Sequence, residues 1–115
     1  MIEEVNDINE KSIILKITQK FINTRGTIYE ASRHEWRLNL KRAEKADYVF
    51  SVLNGIIVEI FSDLIWIKDE TGRITFEGKP ASDNMLRKYK GKYAPSKYVK
   101  TGSKNPCRYI NIPEK

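Results

Sequence analysis

Asn54-Gly55 sits between Tyr48-Val49-Phe50-Ser51-Val52-Leu53 and Ile56-Ile57-Val58-Glu59-Ile60-Phe61. A type I′ turn needs positive φ at both central residues, which Asn-Gly tolerates best, and both flanks are β-branched or aromatic. The two hexapeptides are therefore the arms of an antiparallel hairpin. The second arm is almost wholly apolar up to Glu59, which predicts a strand inside the sheet or barrel with both sides covered. A second hairpin is predicted from residues 64–68, the turn Asp69-Glu70-Thr71-Gly72 and residues 73–77, where Ile74 and Phe76 alternate with polar residues. Gly78-Lys79-Pro80 then stops the strand.

Around these hairpins the pattern predicts further strands at 13–17, at 27–31 and at 107–112. A helix is expected between the first two of these and the hairpin. Ser32 with Glu35 fits a capping box, Asn39 is a rival N-cap, and Trp36, Leu40, Ala43 and Ala46 recur at helical spacing up to Asp47. Ser82 or Asp83 caps a second short helix carrying Met85, Leu86 and Tyr89, closed by Gly91. Residues 1–10 are polar and expected to fray, and 91–106 read as a long basic loop. The fold class expected is α+β: a small, mostly antiparallel, β-barrel-like sheet with two flanking helices.

At 115 residues the chain reads as one domain over 1–115, and 40% apolar with 31% charged residues is ordinary globular composition. No apolar run approaches the roughly 18 residues of a spanning helix. Met1, Ile2, Glu3 and Glu4 do not read as a secretory leader, so a cytoplasmic protein without membrane contact is expected. Cys107 is the sole cysteine and His34 the sole histidine, so neither an internal disulfide nor a zinc cluster is available, and no metal or other cofactor is expected. Cys107 reads as a small core residue.

The charge is unevenly placed. Residues 1–78 carry 11 Lys/Arg against 13 Asp/Glu, whereas residues 79–115 carry 10 against 2. A polyanion would relieve that local excess and release its own counterions on binding. The same segment interleaves aromatic rings with cations: Lys90, Lys92, Tyr93, Lys97, Tyr98, Lys100, Lys104 and Arg108. Cations neutralise phosphates while tyrosines stack on bases, which points to RNA or DNA as the partner. Arg33 and Arg37, on the polar side of the expected first helix, form a further cationic contact. The bland alternative for both groups is a solvated surface.

Residues 26–112 resemble the PUA-like superfamily of small pseudo-barrels that includes the EVE and ASCH domains. The resemblance is carried by the strand at 27–31, the helix with Trp36, Arg42 and Ala46, Ala46-Asp47-Tyr48-Val49, the run from Asn54-Gly55 to Trp66, Phe76-Glu77-Gly78 and Lys104-Asn105-Pro106-Cys107-Arg108-Tyr109-Ile110. It implies binding of RNA or modified DNA, with a base held between the barrel and a flanking helix. Trp36 and Trp66 are the aromatic walls on the matching segments.

Two other classes compete with a nucleic-acid-binding module. A small metal-dependent nuclease or base-modifying enzyme would use Glu59, Asp63 or His34, but Glu35 is badly oriented for His34 and no Glu-x-Lys follows on the next strand at the spacing of a metal nuclease. A protein-interaction or inhibitor module would dock its basic surface on an acidic protein partner. Thr101-Gly102-Ser103-Lys104 lacks the preceding glycine and the following helix of a phosphate-binding loop. No catalytic centre is assembled by the sequence, and unpaired sheet edges are the surfaces open to a second copy.

Overall fold

The computed structural model describes residues 2–33, 36–99 and 107–112. Its elements run β1 (Ser12–Ile17), α1 (Gln19–Arg25), α2 (Ile28–Arg33), α3 (Leu40–Ala43), β2 (Tyr48–Leu53), β3 (Ile56–Lys68), β4 (Ile74–Pro80), α4 (Asp83–Tyr89), a 3-10 turn at Ser96–Tyr98 and β5 (Cys107–Ile110). The strands form one sheet in the order β4-β3-β2-β1-β5. β1 and β2 are parallel and the other three neighbouring pairs antiparallel. The class is α+β, as expected, but among the described residues the sheet is open at β4 and β5, and four helices accompany it where two were expected. Among the described residues no helix is long and apolar enough to cross a membrane.

The sheet divides two cores. Ile14, Phe50, Ile60 and Ile110 face a layer made of α4, Val5, Ile8 and Ala94. Ile13, Leu15, Val49 and Phe61 face the other layer, which holds Ala31, Trp36 and Ala43. Successive residues of β1 thus point into opposite cores, which is why every residue of this strand except Lys16 is buried. A parallel β1–β2 pair requires a crossover, and residues 18–47 supply it with α1, α2 and α3.

The Asn54-Gly55 hairpin forms as predicted, with φ of 52° and 84° at the turn and Leu53 opposite Ile56. The final strand and the Ser82-capped helix are also where the sequence puts them. The crossover is not. Residues 27–31, expected as a strand, lie in α2 apart from its cap, because Thr27 caps that helix: its hydroxyl accepts from the Glu30 N–H at 3.0 Å. Ser32 is then inside the helix, its hydroxyl donating back to the Ile28 carbonyl at 2.7 Å. α1, which the sequence reading lacks, is bounded by the Thr18 cap and by Gly26, whose N–H returns to the Ile22 carbonyl. The expected helix up to Asp47 shrinks to α3, and Asn39 is its N-cap. Trp36 leaves helical geometry to exchange both backbone hydrogen bonds with Ile74. The opening residues, expected to fray, include the buried Val5 and Ile8, and Val5 N–H donates to the Tyr93 carbonyl at 2.8 Å.

Residues 56–61 and 64–68, read as two strands, are one 13-residue strand. It is bent where Asp63 takes φ 52°, and its pairing with β4 shifts between Ser62 and Ile65. The bend brings the Ser62 carbonyl against β4, where only a glycine fits: a Cβ at Gly78 would lie 2.9 Å from that oxygen. Gly78-Lys79-Pro80 therefore continues the strand instead of stopping it, with Pro80 tolerated because β4 is an edge.

Gly78→Ala should destabilise the protein by about 1–3 kcal/mol, the usual cost of overpacking, whereas an unhindered strand glycine would gain from alanine; the urea midpoint gives the sign. A second test concerns the buried hydroxyl pair Ser32–Ser51, 2.6 Å apart. Ser32→Ala strands the Ser51 hydroxyl and should cost about 1–3 kcal/mol. Ser51→Ala leaves Ser32 bonded to Ile28 and should cost less, and the double variant less than the sum of the two.

Candidate nucleic-acid interface

The two cores separate the candidate residues. Arg33, Trp36, Arg37 and Trp66 belong to the side covered by the crossover, whereas Tyr98 packs on the opposite core with Lys97 and Arg108 against its ring. Lys100, Lys104 and His34 lie outside the described residues.

Trp36 is 5% exposed, and its indole N–H donates to the Ser32 carbonyl at 2.6 Å. It is a core anchor, not the aromatic wall the resemblance implies. Trp66 is half-buried and tilts against Phe76 with ring centroids 5.3 Å apart. Arg33 clamps α2 onto β4: it bonds Glu30 at 2.9 Å, the Phe76 carbonyl at 3.1 Å and Glu77 at 3.5 Å. Its charge is spent within the fold. No single helix lines up Arg33 with Arg37, since Arg33 ends α2 and Arg37 follows Trp36 in an extended segment.

Arg37 is exposed and lines an open groove of roughly 700 Å³ together with Leu38, Thr71, Gly72 and Arg73. The groove has a rigid frame. On one side the Trp36–Ile74 bridge fixes the backbone, and continuing its antiparallel register sets position 37 opposite position 73. On the other side the Asp69 carboxylate accepts from the Thr71 N–H at 2.8 Å, the Thr71 hydroxyl at 2.6 Å and the Arg73 N–H at 3.0 Å. The Thr71 hydroxyl, and then the two backbone donors and the nearby Arg73 charge, hold this carboxyl below its ordinary range despite some desolvation. Lys68 passes beside Gly72, its Cε 4.0 Å from where a Cβ would sit. Among the described residues none of Arg37, Lys68 and Arg73 has a carboxylate salt-bridge partner. Like charges placed across a strand pair repel, so two facing arginines are a cost that an anion would remove. Sequence reasoning found Arg37 but missed Lys68 and Arg73, whose signal was their place on either side of the Asp69–Gly72 turn.

The C-terminal cations are differently situated. Lys88 pairs with Glu10 at 3.3 Å, Lys90 with Glu59 at 3.5 Å, Lys92 with Glu3 at 3.7 Å and Lys97 with Asp7 at 3.2 Å. Three of these four partners come from the first ten residues, so the lopsided charge of the sequence is compensated in space. Tyr89 is buried edge-on against Phe50, its hydroxyl donating to Glu10 at 2.7 Å. The Tyr98 hydroxyl donates to Asp7 at 2.9 Å. Tyr93 is 40% exposed, and Arg108 is exposed over the Tyr98 ring at 5.5 Å. Such solvent-facing ion pairs contribute little to stability.

The acidic residues considered for an enzyme are also engaged: Glu59 holds Lys90, and Asp63 holds Lys79 at 3.1 Å. Among the described residues no group of three or more His, Cys, Asp or Glu is placed to hold a metal ion. Burial pushes the Cys107 thiol up to about 12, so it stays protonated at neutral pH as a core group.

Asp7 and Glu10 give the N-terminal tether a pH dependence. The Tyr98 hydroxyl, the Ile8 N–H and Lys97 lower the Asp7 carboxyl; at Glu10 desolvation works upward but is outweighed by Tyr89 and Lys88. Carboxyls lowered in the folded state contribute stability that is complete above the ordinary range, roughly pH 4 to 4.5, and lost as pH falls through their depressed values. Amide-exchange protection factors at residues 5–8, corrected for the intrinsic rate at each pH, should therefore be unchanged from neutrality to about pH 5 and fall only below about pH 4.

Comparisons with protein-family models, with curated proteins and with solved structures found no match, so the chemistry of the groove is read from its own residues.

Proposed function

We propose that the chain is a nucleic-acid-binding module, with the groove between Arg37-Leu38 and Thr71-Gly72-Arg73 as its primary phosphate contact. The observation that carries this reading is that Arg37 and Arg73 line one groove, with Lys68 beside its Gly72 rim, and that none of the three has a carboxylate salt bridge among the described residues. Guanidinium groups bind phosphate oxygens bidentately, and an exposed groove with a rigid rim suits a strand better than a small enclosed ligand. The half-exposed Trp66 lies on the groove's side of the sheet, and the basic, tyrosine-rich C-terminal segment, with Tyr93, Tyr98 and Arg108, extends the proposed contact to a second region on the opposite side. A PUA-like pseudo-barrel belongs to the same proposal. Its support is the Asn54-Gly55 hairpin followed by a long bent strand, although the described pairings leave the sheet open.

One observation favours a protein partner instead. Ile65 and Ile67 are 60% and 45% exposed on β3, beyond the last residue that pairs with β2. Capture of a protein that survives nuclease treatment and is lost in Ile65→Ser/Ile67→Ser would support that reading.

Labelled single-stranded RNA, single-stranded DNA and duplex DNA should be titrated with wild type and with Arg37→Ala/Arg73→Ala at about 50 and 200 mM salt. Loss of two phosphate contacts should lower the slope of log K against log salt by about 1.8 on duplex or about 1.4 on single strands. Binding that is unchanged in the double variant would remove the groove from the interface.

A further inference from the structure

Residues 2–10 lie along the C-terminal cationic segment as a strap. Its backbone is fixed: Val5 N–H donates to the Tyr93 carbonyl, Tyr93 N–H donates to the Glu3 carbonyl, both at 2.8 Å, and the Asn111 amide donates to the Ile8 carbonyl at 2.9 Å. Ile8 is 1% exposed. Two of the strap's carboxylates face solvent; Asp7 also accepts from the Ile8 N–H at 2.8 Å and the Tyr98 hydroxyl at 2.9 Å. The Glu3 side chain is 78% exposed and that of Asp7 50%, against Lys92 and Lys97 at 3.7 and 3.2 Å.

These lysines belong to the segment whose composition marks it for phosphate contact. We infer that Glu3 and Asp7 are built-in competitors of a nucleic-acid strand, occupying Lys92 and Lys97 as phosphates would and holding this face closed to weakly engaging polyanions. The inference rests on the nucleic-acid reading above and concerns the second region of the proposed interface.

The physics favours competition over a permanent lock. Glu3, Asp7 and Lys97 are at least half exposed and Lys92 is partly so, so exchanging a carboxylate for a phosphate demands only modest desolvation. A displaced carboxylate cannot diffuse away, because Tyr93 holds the backbone at Glu3 and Val5, and Val5 and Ile8 hold it on either side of Asp7. It stays beside the strand and repels it, so the strap acts as a fixed local anion. Affinity for the C-terminal face is lowered, and fewer counterions are released when a strand binds, which flattens the salt dependence.

The test compares wild type with Glu3→Gln/Asp7→Asn, using the single-stranded RNA and DNA that probe the groove. The side-chain amide that replaces the Asp7 carboxylate still offers an oxygen to the Tyr98 hydroxyl. Both single substitutions are measured alongside, so that the comparison stands should the pair lose stability. Two freed phosphate contacts should tighten binding about tenfold at about 50 mM salt and steepen the salt slope by about 1.4. The gain should shrink about sevenfold between about 50 and 200 mM. Adding Lys92→Ala/Lys97→Ala should abolish it. Glu44→Gln/Asp47→Asn makes the same charge change on exposed residues of the crossover and serves as the control. An equal gain in that control overturns the inference, since the effect is then one of net charge. No gain, with Arg37-dependent binding intact in wild type, also overturns it while leaving the groove reading standing. Absence of binding in every protein, the neutralised one included, removes the nucleic-acid reading itself.

Discussion

Ser12–Ile17 hydrogen-bonds to Tyr48–Leu53 in parallel and to Cys107–Ile110 antiparallel, with five of its six residues buried and alternate side chains in alternate cores. A parallel neighbour cannot be reached by a tight turn, so the chain must travel across one face and return. The Lys11 carbonyl receives the returning chain, accepting from Asp47 N–H at 2.8 Å and Tyr48 N–H at 3.3 Å. Everything on the crossover side answers to that route: α1 and α2 cover the face, and the extended stretch after them must pass the far edge of the sheet. There Trp36 meets Ile74, and Arg37 comes to face Arg73. The groove is thus a by-product of connectivity, with its two arginines 36 positions apart in sequence.

Local chemistry explains which parts of this fold can be read without coordinates. The Asn54-Gly55 hairpin and the Ser82-capped helix need only short-range signals: a turn that tolerates positive φ, and a hydroxyl one residue before a helix. The crossover misleads because Ile28, Tyr29 and Ala31 look strand-like, while the decisive information is in the caps. Thr18 and Gly26 bracket one helix, and Thr27 with Glu30 starts the next, whereas Ser32 with Glu35 offers a rival box of identical spelling. The join of two apolar runs into β3 is hidden at Asp63, which adopts φ 52° within a strand; aspartate tolerates positive φ, but Ser62-Asp63 reads as a turn between two strands as readily as a bend within one.

The site was less legible than the fold for a different reason. Charge is a sum over neighbours in space, and a sequence reports only neighbours along the chain. Residues 79–115 read as strongly cationic, yet Glu3, Asp7, Glu10 and Glu59 sit against four of their lysines. Arg33 looks like surface charge and is an internal clamp, while Arg73 looks like a turn residue and stands opposite Arg37. Aromatic residues behave alike: Trp36 and Tyr89 are buried, and Tyr93 keeps 40% of its surface exposed because its backbone, not its ring, is used to hold the opening residues.

The antiparallel partner of β1 also has a consequence for how the chain is made. Ser12–Ile17 leaves the ribosome well before Cys107–Ile110, which alone completes one of its two edges. The other waits for Tyr48–Leu53. Contacts of such long sequence separation close late and slowly. Between those events a strand reading Ile13-Ile14-Leu15 presents an uncovered edge, the kind of template on which nascent chains stick to one another. Synthesis rate and temperature, more than final stability, should then govern how much of this protein reaches its native state.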